Sequence, residues 1–211
     1  PLRLSCTVVK THGKDRLEGI TIANVDDKLK PIPGTEEYIE CDTLLLSVGL
    51  IPENELSKDV GVELDRVTSG PVVDEYRETL HPGIFACGNV LQVHDLVDYV
   101  TEESQIAGKG AADYIFGKKK GGTFINTKGI NGVRYIVPQR VNIEGEENLK
   151  LYFRVGQVYK GAKVVVECDG KILSSKKKVK LAPGEMENVV ITTEMLKDMN
   201  KDSEIVVRVE E

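Results

Sequence analysis

Two stretches of this sequence carry residues suited to holding a ligand. One is CDTLLLSVGLIPEN (residues 41–54), an apolar run that closes on Gly49. The other is TLHPGIFACGNV (residues 79–90), which closes on Gly88-Asn89. A glycine at the end of a strand lets a ligand approach the backbone without meeting a Cβ. An asparagine beside it can hydrogen-bond a ligand hydroxyl through its oxygen or its amide. A helix is predicted from about Asp95 to Phe116, so its unpaired N-terminal amides fall just after Asn89 in sequence. Such amides, with the positive end of the helix dipole, favour an anion or an electron-rich ring. Taken alone, Gly-Asn is an ordinary turn pair; the preceding segment and the following helix tip the reading towards a site.

Other groups nearby are read more plainly. His94 adjoins the site but is expected to be a solvated residue before the helix. Cys87 is expected to pack in an apolar strand, and His81 and His12 to be structural or exposed. No catalytic residue is assigned. The sequence has no G-x-G-x-x-G after a strand, no P-loop, no H-E-x-x-H and no G-x-S-x-G. The glycines around Gly108 fall inside the predicted helix.

The elements that must position these residues fall into two regions. LRLSCTVVK and LEGITIANV alternate as strands around an HGKDR hairpin. Leu44-Leu45-Leu46 reads as a strand buried on both faces of a sheet. VTSGPVVDEYRETL and PGIFACGN read as two further short strands. Small residues Ala107, Gly108, Gly110 and Ala111 suit the helix to close packing. The lysine and glycine run after Phe116 reads as a linker, giving domains 1–117 and 124–211 joined by 118–123. In the second domain LKLYFRVG alternates, with Leu149, Leu151, Phe153 and Val155 on one face and Lys150, Tyr152 and Arg154 on the other. Asp169-Gly170 between two apolar runs signals a hairpin. TEMLKDM is helical, with Thr193 as N-cap. The lysines 176–178 are expected on a solvated strand edge, where they oppose edge pairing. The fold class expected is thus α/β, a partial three-layer domain, followed by an all-β, antiparallel, Ig-like sandwich.

Bulk properties narrow the function classes. A net charge of −6 argues against a nucleic-acid partner. Aromatics at 5%, without tryptophan, require aliphatic cores. The four cysteines form no C-x-x-C pair, so neither a zinc site nor a redox dithiol is written here. No apolar run has the length of a membrane span, and a cytoplasmic setting is expected. The sequence opens on Pro1 directly before strand-like residues, which reads as the middle of a domain.

The two ligand-suited stretches resemble the FAD domain of the pyridine-nucleotide-disulphide oxidoreductases. Asp42 to Asn54 is similar to the family pattern D-x-h-h-x-A-x-G-x-x-P-N, with Ser47 for the alanine and Glu53 inserted before Asn54. Thr79 to Asn89 resembles T-x-x-P-x-h-[FY]-A-x-G-D, with Asn89 for the final aspartate, which in the family binds the FAD ribityl chain. The resemblance implies FAD as cofactor and NAD(P)H as co-substrate, with Gly49, Gly88, Asn89, Val97 and Asp98 at the cofactor and Tyr99 close by. The family's glycine fingerprints precede such segments, so a missing N-terminal FAD/NAD(P)-binding region is the implied partner, with other oxidoreductase subunits as further candidates. In detail the chain looks most like flavoprotein subunits of the amine/opine oxidase and anaerobic glycerol-3-phosphate dehydrogenase type. The expected function is the C-terminal portion of an FAD-dependent, NAD(P)H-linked oxidoreductase. The alternative is a non-catalytic β-sandwich that docks a partner subunit.

Overall fold

The computed structural model describes residues 2–118 and 121–211. Lys119 and Lys120, part of the expected linker, lie outside them. The chain forms two compact units, one ending at Gly49 and the other spanning Leu50–Glu211.

The first unit is a three-stranded antiparallel sheet of β1 (Cys6–His12), β2 (Gly19–Asn24) and β3 (Glu37–Glu40), in the order β1-β2-β3. Its central strand β2 buries Ile20, Ile22 and Ala23. The Leu44-Leu45-Leu46 strand expected here does not form among the described residues. Leu45 is 89% exposed, and Leu46 and Val48 are exposed as well. The reason is the lack of a neighbour: an apolar run becomes a sheet strand only where others accept its backbone hydrogen bonds, and none of the described strands pairs with it.

In the second unit, residues 54–96 are mostly loops. A short helix α1 (Glu55–Asp59) is followed by isolated bridges, Leu64 to Pro71, Val73 to Thr79 and Glu78 to Phe85, in place of the two expected strands. Tight turns explain this: Asp65 and Asp74 side chains accept from amides two to four residues on, diverting the backbone from a ladder. Gly70 admits no side chain, since a Cβ there would lie 1.7 Å from the Leu91 carbonyl oxygen. The long helix α2 (Val97–Ile115) agrees with the sequence prediction and turns Glu103, Ala107 and Gly110 inward. At Gly110 the backbone of Tyr76 leaves no room for a Cβ.

Strands from Phe124 onward build a β-module on one core. β4 (Phe124–Gly129), β5 (Val133–Val137), β6 (Arg140–Asn142) and β7 (Leu149–Val155) are followed by the short β8 (Tyr159–Lys160). Then come β9 (Lys163–Cys168), β10 (Lys171–Lys177), β11 (Lys180–Leu181) and β12 (Glu187–Ile191). Helix α3 (Thr193–Leu196) and β13 (Glu204–Glu210) complete it. The sheets run β10-β9-β13-β4-β6 and β12-β7-β5, with β11-β8 as a separate pair. Leu151, Phe153 and Val155 of β7 pack with Val164 and Val166 of β9 and Ile205 and Val207 of β13, so both larger sheets share this core. Asp169 and Gly170, at φ of 50° and 80°, make the expected β9–β10 turn. Lys176 and Lys177 lie on β10, an edge strand. Two expectations are corrected. β13 pairs with β4 in parallel, so the module is not wholly antiparallel. The cap of α3 is Thr192, whose hydroxyl accepts from the Met195 amide. As a whole the chain is mostly β with few helices.

Candidate functional site

Gly88 opens a 3-10 turn, Gly88–Val90, at a φ of +70° that suits glycine. A buried Asn54 ties this turn back to the earlier loop, donating from Nδ2 to the carbonyls of Ser69 at 2.9 Å and Val90 at 2.7 Å. The last residue of the first motif thereby grips the end of the second. The Gly88 amide donates to Glu103 Oε2 at 2.8 Å, which fastens the turn to the first coils of α2. Asn89 is exposed, and its Oδ1 accepts from the His94 amide at 3.1 Å. What its side chain presents outward is therefore the amide nitrogen, a donor.

Val97 and Asp98 form the exposed first turn of α2, whose N-cap Leu96 offers no side-chain hydrogen bond. The first amides of this 19-residue helix are left without a capping side chain. The structure therefore brings Gly88, Asn89, Val97 and Asp98 into one neighbourhood. Gly49, at φ +84° with open space around it, closes the other compact unit and is described within that unit alone.

Beneath this surface lies a charge cluster that sequence reasoning missed. Glu103 is 0% exposed and accepts from Arg77 Nε at 3.2 Å, Gln92 Nε2 at 3.1 Å and the Gly88 amide. His94 Nε2 lies 2.8 Å from Glu103 Oε2, the oxygen that also accepts from the Gly88 amide. The expectation of a solvated His94 is thus corrected: its side chain is 1% exposed, drawn in by the inward-facing carboxylate. Burial alone would raise the Glu103 pKa, but the His94 hydrogen bond and the Arg77 charge together hold it below the usual glutamate value. A signal for Glu103 was present in the sequence. It shares the inward stripe of Ala107 and Gly110, four and seven residues on, and a carboxylate on that stripe must find partners.

The β-module covers the other flank of α2. Tyr152 donates to Glu102 Oε2 at 2.7 Å, and Lys150 pairs with the same carboxylate. The Tyr152 ring meets Tyr99 edge-on at 5.7 Å, and the Arg77 guanidinium lies over it at 5.9 Å. Burial, then the hydrogen bond to Glu102, pushes the Tyr152 phenol well up. Val137 of β5 packs with Val73, Ala86 and Leu91 in a second small core. A hollow of about 270 Å³ lies between Ile51, Pro52, Gln92, Val93, Tyr135 and Arg154, where loop and β-module meet.

A profile of the pyridine nucleotide-disulphide oxidoreductases matches residues 3–109. The chain belongs to this family. Oxidoreductases of this family use FAD and NAD(P)H. The chain is 30% identical over 120 residues to the glutamate synthase [NADPH] small chain of Halomonas elongata, a match covering 51% of this chain and 25% of that protein. It is 27% identical over 96 residues to the nitric oxide reductase FlRd-NAD(+) reductase of Salmonella agona, covering 46% and 25% respectively. The chain thus spans about a quarter of the length of these relatives. Among the described residues no helix is long and apolar enough to cross a membrane, and no cluster of three or more His, Cys, Asp or Glu could hold a metal ion.

Proposed function

We propose that this chain supplies the flavin-ring side of an FAD-dependent, NAD(P)H-linked oxidoreductase acting in the cytoplasm, with the dinucleotide phosphates held by sequence outside these 211 residues. One observation carries this reading: in a family of flavin-linked oxidoreductases, a long helix with uncapped first-turn amides stands beside Gly88-Asn89.

The residues fit the group. An exposed Asn89 with Oδ1 engaged offers Nδ2 to a ribityl hydroxyl, which can accept as well as donate. The Gly88 backbone is held in place from behind by Glu103. The Val97 and Asp98 amides suit the electron-rich edge of an isoalloxazine. When bound, FAD supplies hydride chemistry. The chain's own part is to orient the cofactor and stabilise negative charge at that edge.

The exposed run from Leu45 to Ile51 supports the reading. A stretch this apolar suits a strand of a parallel sheet whose other members lie elsewhere. The β-module is read as an Ig-like sandwich, supported by the core that its five- and three-stranded sheets share.

The test is the colour of the protein encoded by the intact gene. It should purify yellow and bleach on anaerobic addition of NADH or NADPH. A colourless, flavin-free protein overturns the reading and leaves the β-module as a docking unit for another subunit.

A further inference from the structure

Asp95 stands two residues before the first residue of α2. A carboxylate there, one residue before the N-cap Leu96, is attracted to the positive end of the helix. Here it is turned elsewhere. Its Oδ1 accepts from Arg154 Nη2 at 3.1 Å, and both its oxygens lie within reach of the Met186 amide, at 3.2 and 3.3 Å. The same Arg154 Nη2 also holds the Val93 carbonyl at 3.0 Å, while Nη1 is anchored on the Pro183 carbonyl at 3.1 Å. Arg154 is on β7, and Met186 immediately precedes β12. Both groups that hold Asp95 therefore come from the β-module. Between Val93 and Asp95 sits His94, whose buried Nδ1 has no partner among the described residues. Such an atom at the entrance to α2 marks a place where a hydrogen-bonding group is still to be supplied.

We propose that Arg154 is a positioning residue for the flavin edge: it neutralises Asp95 and keeps it from capping α2, leaving the first-turn amides open to the cofactor. This rests on the flavin reading above. Without Arg154 the Asp95 carboxylate keeps the Met186 amide but loses its countercharge, and its negative charge beside the helix start competes for the first-turn amides or repels negative charge on a reduced flavin. Without Asp95 the Arg154 charge remains and favours that negative charge. The two substitutions break the same contact, so a merely structural role moves both variants alike. An electrostatic role moves them in opposite directions.

The experiment is a redox titration of the bound flavin in the intact gene product, with Arg154→Gln, Asp95→Asn and the double variant. Arg154→Gln should lower the reduced-to-oxidised ratio at a fixed potential by about two- to fivefold, or roughly 10 to 20 mV for a two-electron couple. Asp95→Asn should raise it, and the double variant should return towards wild type. Shifts of one sign, or none, in a yellow protein overturn the proposal and leave the flavin reading standing. A colourless wild type overturns both. Should Arg154→Gln lose its flavin, recovery of flavin in the double variant supports the proposal, and continued loss overturns it.

Discussion

Two apolar runs in this chain meet opposite fates. Leu44 to Ile51 and Leu149 to Val155 are both hydrophobic enough to be central strands. β7 is hydrogen-bonded on both edges, by β5 and β12, and covered on both faces, by the aliphatic core and by α2. The earlier run has no described strand beside it, and Leu45 and Ile51 are more than four-fifths exposed. Apolar side chains create a demand for burial. Whether a strand forms depends on the hydrogen-bonding neighbours that other segments provide.

The sharpest way to break the comparison is at its buried end. Phe153→Ala should cost about 4 kcal/mol in urea unfolding, the loss expected on emptying a fully buried aromatic site. A loss under 1 kcal/mol would show that β7 is less enclosed than described.

Behind its second face, Glu103→Ala should cost about 3 kcal/mol by thermal melting, since it strands the buried Arg77 guanidinium. The sign with pH follows from the lowered Glu103 pKa. The ionised carboxylate contributes fully above the ordinary value of 4.5, and that contribution disappears as pH falls through the lower folded-state value. Glu103→Gln should flatten this acid limb, and an unchanged acid profile would refute the assignment.

Tyr152→Phe removes one hydrogen bond to an ionised carboxylate and keeps the ring packing. About 1.5 kcal/mol should be lost, and removing Glu102 as well should add little. Additive losses in that double-mutant cycle would separate β7 from α2.

The smallest effect belongs to the unpaired run. Leu45→Ser in this 211-residue chain should change stability by less than about 0.5 kcal/mol. A larger loss would mean that the leucine is buried after all.

The sequence showed the strict alternation of β7, the Asp169-Gly170 turn and the span of α2, because each is fixed by local periodicity or turn chemistry. It misled at Leu44-Leu45-Leu46, where periodicity reports side chains but not neighbours. It also misled at residues 67–88, where aspartate turns outcompete strand pairing. Gly88, Asn89, Val97 and Asp98 could be named beforehand as a candidate site because glycine ends and helix starts leave local marks. The Glu103 cluster draws Arg77, Gln92 and His94 from separate turns, and no single window of sequence contains that convergence. Arg154 was still further from view, since its partners Val93 and Asp95 lie about sixty residues away.

The place of β13 has a consequence for how the protein is made. This strand, the last described, lies between β9 and β4, and its pairing with β4 is parallel. On the ribosome, β4–β6 and β9–β10 must therefore wait as separate hairpin-scale pieces until residues 204–210 emerge. The shared core, and with it the seat from which Arg154 reaches back to the start of α2, is completed only then. A nascent chain stalled before that strand should remain a client for chaperones, with its aliphatic faces still uncovered.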